Sequence, residues 1–457
     1  FNLAKEAMIR IKKGLNIPLE GSPKGAPVSL TKPRTVGLVG SDYNGMKPTM
    51  LVENGDQVKI GQPLFEDKQN QGVIYTSPGA GSIQSINRGS RRSLQSVVID
   101  LDKDEEFIEF NSYLLQEIKL LDSITIKNQL IKSGLWVSFK TRPFSKTPKI
   151  TSSPDGLFVT AMDTNPLALE PNQIINLEIK NFMAGLNVLR SLVSCPIYLC
   201  VSEDFNHKEF ENDDIFIKRF SGPHPAGLAG THIHFISPAT INNNLWTINY
   251  SDVIGFGSLF LTGKLSTDKY ISIAGPQVEE PKIAKTRIGV CIDEICAGQL
   301  KPADNRVISG SVINGREAIG PFSYLGKFHN QISVIEETNS SDRKFLNWLM
   351  PGFNKHSQIP LFGHTLNSNK KLNIKTLMNG SNRSILPIGV YEEIFPFEIL
   401  ISILLRYIVV GDTEKIQALG GLELDIEDLA LCSYVCPSKY DFGSLLNKNL
   451  TLIETEG

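Results

Sequence analysis

The chain has no apolar run long enough to cross a bilayer. Its most apolar stretch, Ile399 to Val410, is twelve residues interrupted by Ser402 and Arg406, whereas a spanning helix needs about 20. That stretch is expected to be a buried core helix, and any membrane association must come through a partner. Charge of one sign is also missing: 46 Lys and Arg against 48 Asp and Glu leave a net charge of −2. Bulk attraction to nucleic acid or to anionic lipid is thereby excluded, though a local basic patch is not. Cysteine is sparse, six in 457 residues with no C-x-x-C pair, so a disulfide framework is not expected and reduced thiols in a cytosolic setting fit better. No secretory signal opens the chain; residues 1–7 read as an upstream extension ahead of a natural start at Met8.

Nucleotide fingerprints are absent too. Gly222 and Gly227 have the first spacing of a phosphate loop, but Leu228 and Ala229 follow where Lys and Ser/Thr belong. No G-x-G-x-x-G opens a helix after a strand, so no backbone cradle for a pyrophosphate is visible. Cys432 and Cys436 form the tail of a bacterial cluster-binding run. The two preceding cysteines are replaced by Ile426 and Leu429, and two thiolates cannot hold a cluster that needs four.

What is present is an ordinary globular composition, 41% apolar and 21% charged, in a chain long enough for about three domains at roughly 150 residues each. Residues 8–110 are rich in short strands and Gly/Pro/Asp turns, as in Asn54-Gly55-Asp56 and Ser77-Pro78-Gly79. They are expected to form a lipoyl/biotinyl-carrier-like β domain, with Lys68 too close to Gln62 to be a modified tip lysine. Residues 111–265 read as a Rossmann-like α/β domain with a parallel sheet. Its elements are a helix over Leu114 to Leu135 ended by Gly134, strands Leu157 to Ala161 and Ile197 to Val201, and a helix Ile174 to Val193 between them. Strands return at Tyr270 to Ala274, Thr286 to Cys291 and Arg306 to Gly310, giving a β-grasp (SLBB-like) insert over 266–340. The region 341–457 is expected to be helical from about 394, with Phe395 to Val410 and Thr413 to Leu419. The fold class is multidomain α/β.

Three stretches could carry chemistry. Ser221 to His234 holds three of the seven histidines among glycines and prolines. His232 and His234 would point the same way on a strand, but local Asp, Glu and Cys are missing for a zinc site. Gly134 to Lys146 interleaves aromatics with Lys140, Arg142 and Lys146. A quinone head offers carbonyl acceptors and a flat ring, and wants such donors and such a wall. The candidate quinone contacts are Arg142, Phe144, Lys146, His224 and His232. Arg88, Arg91 and Arg92, at a hairpin tip, suit docking to another protein of an assembly.

Met8 to Leu15, Asn87 to Asp100 (NRGSRRSLQSVVID), Thr141 to Lys146 (TRPFSK), Val159 to Pro166 (VTAMDTNP), Gly222 to His232 (GPHPAGLAGTH) and Ala430 to Tyr440 (ALCSYVCPSKY) together resemble the NqrA family of the sodium-translocating NADH:quinone reductases. The resemblance runs from about residue 8 to the C-terminus. It implies a peripheral component on the cytoplasmic side of the bacterial inner membrane, lying on the membrane-embedded B subunit and associated with ubiquinone. It also implies a fold similar to the NADH-binding flavoprotein of respiratory complex I, with the flavin and cluster sequences missing. NADH, flavins and iron–sulfur centres would then belong to partner subunits, and this chain would bind no cofactor, no metal and no nucleic acid. A pure docking scaffold is the competing expectation, and an NADH-binding enzyme is disfavoured by the missing glycine fingerprints.

Overall fold

The computed structural model describes residues 8–338, 356, 370–378 and 380–456. The upstream segment 1–7 and the expected start of the last region at 341 lie outside them.

The N-terminal unit consists of two small antiparallel sheets. One runs in the order Thr35–Val39, Leu94–Leu101, Gly81–Arg88, Gln57–Val58; the other is Pro48–Met50, Pro63–Asp67, Ile74–Thr76. Alternation on these strands sends Val36, Leu64, Tyr75, Ile83, Val97 and Ile99 inward, all essentially buried. Lys68 is exposed just past the strand Pro63–Asp67, its amide donating to the Lys47 carbonyl at 2.8 Å.

The next unit is a six-stranded sheet in the order Ile9–Arg10, Ile215–Ser221, Ile197–Ser202, Gly156–Ala161, Leu245–Asn249, Lys140–Arg142. Every pairing is parallel except the last, the edge strand Lys140–Arg142. Central strands read as continuous apolar runs because helices cover both faces. Strand order reverses between Gly156–Ala161 and Leu245–Asn249, the position where open α/β sheets leave a crevice. Helices Ile179–Leu192 and Tyr250–Thr262 cross at glycine: a Cβ on Gly257 would lie 1.8 Å from the Asn181 carbonyl, and one on Gly185 2.0 Å from that of Val253.

The third unit is a mixed six-stranded sheet, Arg316–Glu317, Asn305–Ser309, Gln331–Glu336, Asp268–Ala274, Lys282–Arg287, Lys24–Ser29, with one short helix, Ile292–Cys296. Residues 8–30 are thus shared out. Ile9–Arg10 extends the α/β sheet and Lys24–Ser29 edges the third sheet. Helices Val390–Ile394, Ile401–Val410, Thr413–Ala418, Ala430–Val435 and Phe442–Glu456 close the chain around Leu404, Ile408, Leu429, Phe442 and Leu446.

Several element expectations are corrected. The helix expected over Leu114 to Leu135 is two helices, Leu115–Ile118 and Ser123–Lys132. Asp122 restarts it by accepting from the Thr125 amide at 2.6 Å. Gly134, left-handed at φ 75°, then leads into a tight turn over Leu135–Ser138. Ile174 to Val193 breaks at Glu178, which is held by Tyr270 Oη and Asn181 Nδ2. The strand expected at Thr286 to Cys291 is Lys282–Arg287. Past its end, left-handed Gly289 turns the chain and its carbonyl accepts from the Gly37 amide at 2.7 Å. The helix expected from Phe395 begins only at Ile401. His232 and His234 lie on the helix Ala229–Ile236, not on a strand. Helical spacing therefore turns the two rings to different neighbours.

Candidate functional site

Arg142 ends the edge strand of the α/β sheet with 2% of its side chain exposed. Its guanidinium meets Asp425 at 3.2 Å, Glu427 at 3.3 Å and Asp428 at 3.2 Å, all on one turn of the C-terminal helices. Ser145 Oγ donates to Asp425 Oδ2 at 2.5 Å, and the Asp425 amide donates to Asp428 Oδ2 at 2.8 Å. Burial, joined by repulsion from Glu427 and Asp425 and opposed by Arg142, pushes the Asp428 carboxyl up to about 7. The same carboxylate lies against the helix Ala229–Ile236, where a Cβ on Gly230 would come within 2.2 Å of Asp428 Oδ1.

Phe144 and Lys146 face the same joint. Phe144 packs on the apolar core of the C-terminal helices and its carbonyl accepts from Asn44 Nδ2 at 2.8 Å. Lys146 Nζ pairs with Glu454 at 2.5 Å. His234 completes the joint, stacked on Phe397 with centroids 4.6 Å apart. The Glu398 amide donates to His234 Nε2 at 3.0 Å, so Nδ1 carries the proton given to Glu423 Oε1 at 2.7 Å.

His224 and His232 occupy the loop and helix beyond the strand Ile215–Ser221. His224 Nδ1 shares a hydrogen bond with Thr164 Oγ1 at 3.2 Å, and Thr164 Oγ1 accepts from the Gly227 amide at 2.9 Å. His232 Nε2 donates to the Ala226 carbonyl at 3.1 Å, its ring 4.5 Å from that of Phe220. Burial lowers His224 to about 4 and His232 to about 3, so both are neutral near pH 7. The crevice at the strand-order reversal is filled from within: Gln331 donates to the Pro166 carbonyl, Ser272 to that of Leu167, and Asn330 to Asn249.

Arg88, Arg91 and Arg92 are exposed on the tip between Gly81–Arg88 and Leu94–Leu101, with Arg91 and Arg92 at φ 54° and 60°. Cys432 and Cys436 are buried among the C-terminal helices, where burial raises the Cys432 thiol and Tyr391 Oη donates to Cys436 Sγ at 3.2 Å. Among the described residues, no group of three or more His, Cys, Asp and Glu side chains is arranged to hold a metal ion.

An apolar opening lies elsewhere. A small slot, with about 50 Å³ of room for the centre of a water-sized sphere, forms where the N-terminal, α/β and third units meet. Leu38, Tyr43, Tyr75, Val137, Leu265 and Leu325 wall it, with Asp42 and Lys327 at its polar edge. Tyr43 and Tyr75 meet edge to face at 4.6 Å. Sequence reasoning passed over these residues because they come from distant stretches, none with a motif. The nearest signal was the turn Asp42-Tyr43-Asn44-Gly45.

Among the described residues no helix is long and apolar enough to cross a membrane. The units match three family models: the NqrA N-terminal barrel-sandwich hybrid domain over 9–102, the NqrA second alpha/beta domain over 121–265, and the NQRA C-terminal domain, of SLBB type, over 270–319. The chain is therefore a multidomain α/β protein of the kind these models define. It is 49% identical to the A subunit of the Na(+)-translocating NADH-quinone reductase of Saccharophagus degradans, over 98% of this chain and all of that one. It is 48% identical to the corresponding proteins of Pseudomonas aeruginosa PAO1 and Neisseria gonorrhoeae over the same shares. The chain belongs to the NqrA family of the Na+-translocating NADH-quinone reductase, and is thus one component of a translocase oxidoreductase. An NAD+-reducing NiFe hydrogenase aligns with a TM-score of 0.38 and 11% identity over 75% of this chain and 63% of that one, which carries no inference.

Proposed function

We propose that this chain supplies a quinone-contacting surface to the reductase and holds no redox centre of its own, electrons arriving from flavin and iron–sulfur groups on partner subunits. The slot at the three-unit junction carries the reading. It offers an apolar, aromatic-walled opening with few polar groups at one edge, the general form of a site for a flat, weakly polar ring. Ubiquinone is the ring this family's chemistry would bring. The residues nominated from sequence are given a supporting part: Arg142, Phe144 and Lys146 hold the C-terminal helices onto the α/β unit, and His224 and His232 set the loop behind it.

The exposed arginine tip favours a second, compatible role. Arg88, Arg91 and Arg92 face solvent as a compact cationic point, suited to docking on the cytoplasmic face of the membrane-embedded B subunit. The finer architecture belongs to the same reading: a lipoyl/biotinyl-carrier-like unit over 8–110, a Rossmann-like unit over 111–265, a β-grasp unit over 266–340 and a C-terminal region from 341.

Titration of the purified chain with a short-tailed ubiquinone, followed by calorimetry, tests the slot. Saturable binding is expected, abolished by Leu38→Trp, which fills the slot from a partly exposed wall, and retained in His224→Gln. Undiminished binding in Leu38→Trp would move the site elsewhere. Absence of binding both to the chain and to the assembled complex would remove the quinone role.

A further inference from the structure

The polar edge of the slot is the visible part of a larger buried charge cluster assembled from all three units. Lys327 Nζ pairs with Asp252 Oδ1 at 2.5 Å, and Ser138 Oγ donates to the same oxygen at 2.9 Å. The Lys327 amide donates to Asp42 Oδ2 at 2.9 Å, while Arg316 stands 3.7 Å from Asp42 Oδ1. Lys269 Nζ donates to the Lys327 carbonyl at 2.5 Å, and Lys140 Nζ lies 3.9 Å above the Phe328 ring. His329, behind them, bonds Ser309 Oγ at 2.8 Å; burial first, then Arg316, Lys269 and Lys140, lowers it to about 3, so it adds no charge near pH 7.

The sum is uneven. Among the described residues of this cluster, Lys269, Arg316 and Lys327 face Asp42 and Asp252, leaving one formal positive charge in excess; Lys140 stands beside them but is shared with Asp425 and Glu427. Little water reaches them: exposure is 12% for the Lys327 side chain, 20% for Arg316, 6% for Asp42 and 7% for Asp252. Unpaired buried charge is costly and is relieved either by losing a proton or by gaining an anion. The strain shows on Lys269, which burial and the neighbouring Lys327 lower to about 8 despite Asp252 and Asp42. The slot opens directly onto Lys327 and Asp42, so an anion bound there would lie beside the excess.

We infer that the slot selects rings bearing negative charge, taking an acidic hydroxyquinone in its enolate form in preference to a neutral quinone of the same shape, with the enolate oxygen beside Lys327. This rests on the reading of the slot as a quinone site. It names what the site discriminates: the apolar walls admit the ring, and the cations rank rings by charge.

Lawsone, a hydroxynaphthoquinone ionised at neutral pH, and its neutral methyl ether make the comparison, titrated into the purified full-length chain at pH 7. Lawsone is expected to bind at least about tenfold more tightly, the scale of one modestly screened charge interaction. Lys327→Met should bring the ratio towards one. Asp42→Asn should raise it, a change of opposite sign that loss of folding cannot imitate. Binding of both ligands with equal affinity overturns the charge selectivity and leaves the slot as a quinone site. Binding of neither overturns the quinone reading itself. A lawsone preference that neither substitution alters overturns the assignment to this cluster.

Discussion

Arg142 meets three carboxylates while showing 2% of its side chain to solvent. Removing it would leave the Asp428 carboxyl buried without its guanidinium partner, so Arg142→Ala is expected to lower stability by about 3–5 kcal/mol, read as a shift in the denaturation midpoint. Arg142→Lys should recover only part, since one ammonium cannot bridge the carboxylates as a planar fork does. Asp428 adds a pH dependence. Its folded pKa, about 7, lies above the ordinary 3.8, so the folded chain holds a proton that the unfolded chain releases. That contribution is full below pH 3.8 and is lost as pH rises through 7. Asp428→Asn should therefore flatten the fall in melting temperature between pH 5 and 8, its amide oxygen still accepting from Arg142. An unchanged pH profile in this variant would mean that Asp428 does not titrate there. At this scale the sequence marked Arg142 as important for its charge among aromatics. It could not show that the partners lie some 285 residues further on.

At the scale of elements, close approaches decide more than propensity. Alanine at Gly257 would gain up to about 1 kcal/mol of helix propensity. Its Cβ would nevertheless meet a backbone carbonyl of the crossing helix at 1.8 Å. Gly257→Ala is expected to cost about 1–3 kcal/mol net, measurable by chemical denaturation; a stabilised variant would show that the helices can part freely. The parallel core strands were legible because unbroken apolar runs suit a sheet covered on both faces. The helix breaks at Asp122 and Glu178 were not, because apolar periodicity continues across them; Asp122 caps a new helix, while the Glu178 side chain is held by Tyr270 and Asn181. Likewise the alternation of His232 and His234 fitted a strand, whereas Ala229–Ile236 is a helix whose rings meet Phe220 on one side and Phe397 on the other.

Across the whole molecule, units are stitched together by segments distant in sequence. Ile9–Arg10 and Lys24–Ser29 edge two different sheets, and Arg142, Lys146 and His234 tie the C-terminal helices to the α/β unit. Loosening these ties should free the C-terminal helices ahead of the sheet. Hydrogen exchange in Ile401–Val410 and Phe442–Glu456 is therefore expected to accelerate in Arg142→Ala combined with His234→Ala, with Gly156–Ala161 still protected. Equal acceleration in both regions would mean that the chain opens as one cooperative body.

The sequence by itself determined the family, through long motifs such as Gly222 to His232, and the succession of β, α/β, β and helical regions, through local periodicity and turn residues. These are properties of contiguous stretches, where side-chain alternation and capping act over a few residues. Only the tertiary structure decided where charge is balanced and where it is not. Arg142 finds its carboxylates, and Lys327, Lys269 and Arg316 outnumber Asp42 and Asp252, through three-dimensional proximity alone. A chain with a net charge of −2 gives no hint of a buried positive excess, because electrostatic energy depends on distance and burial, not on composition.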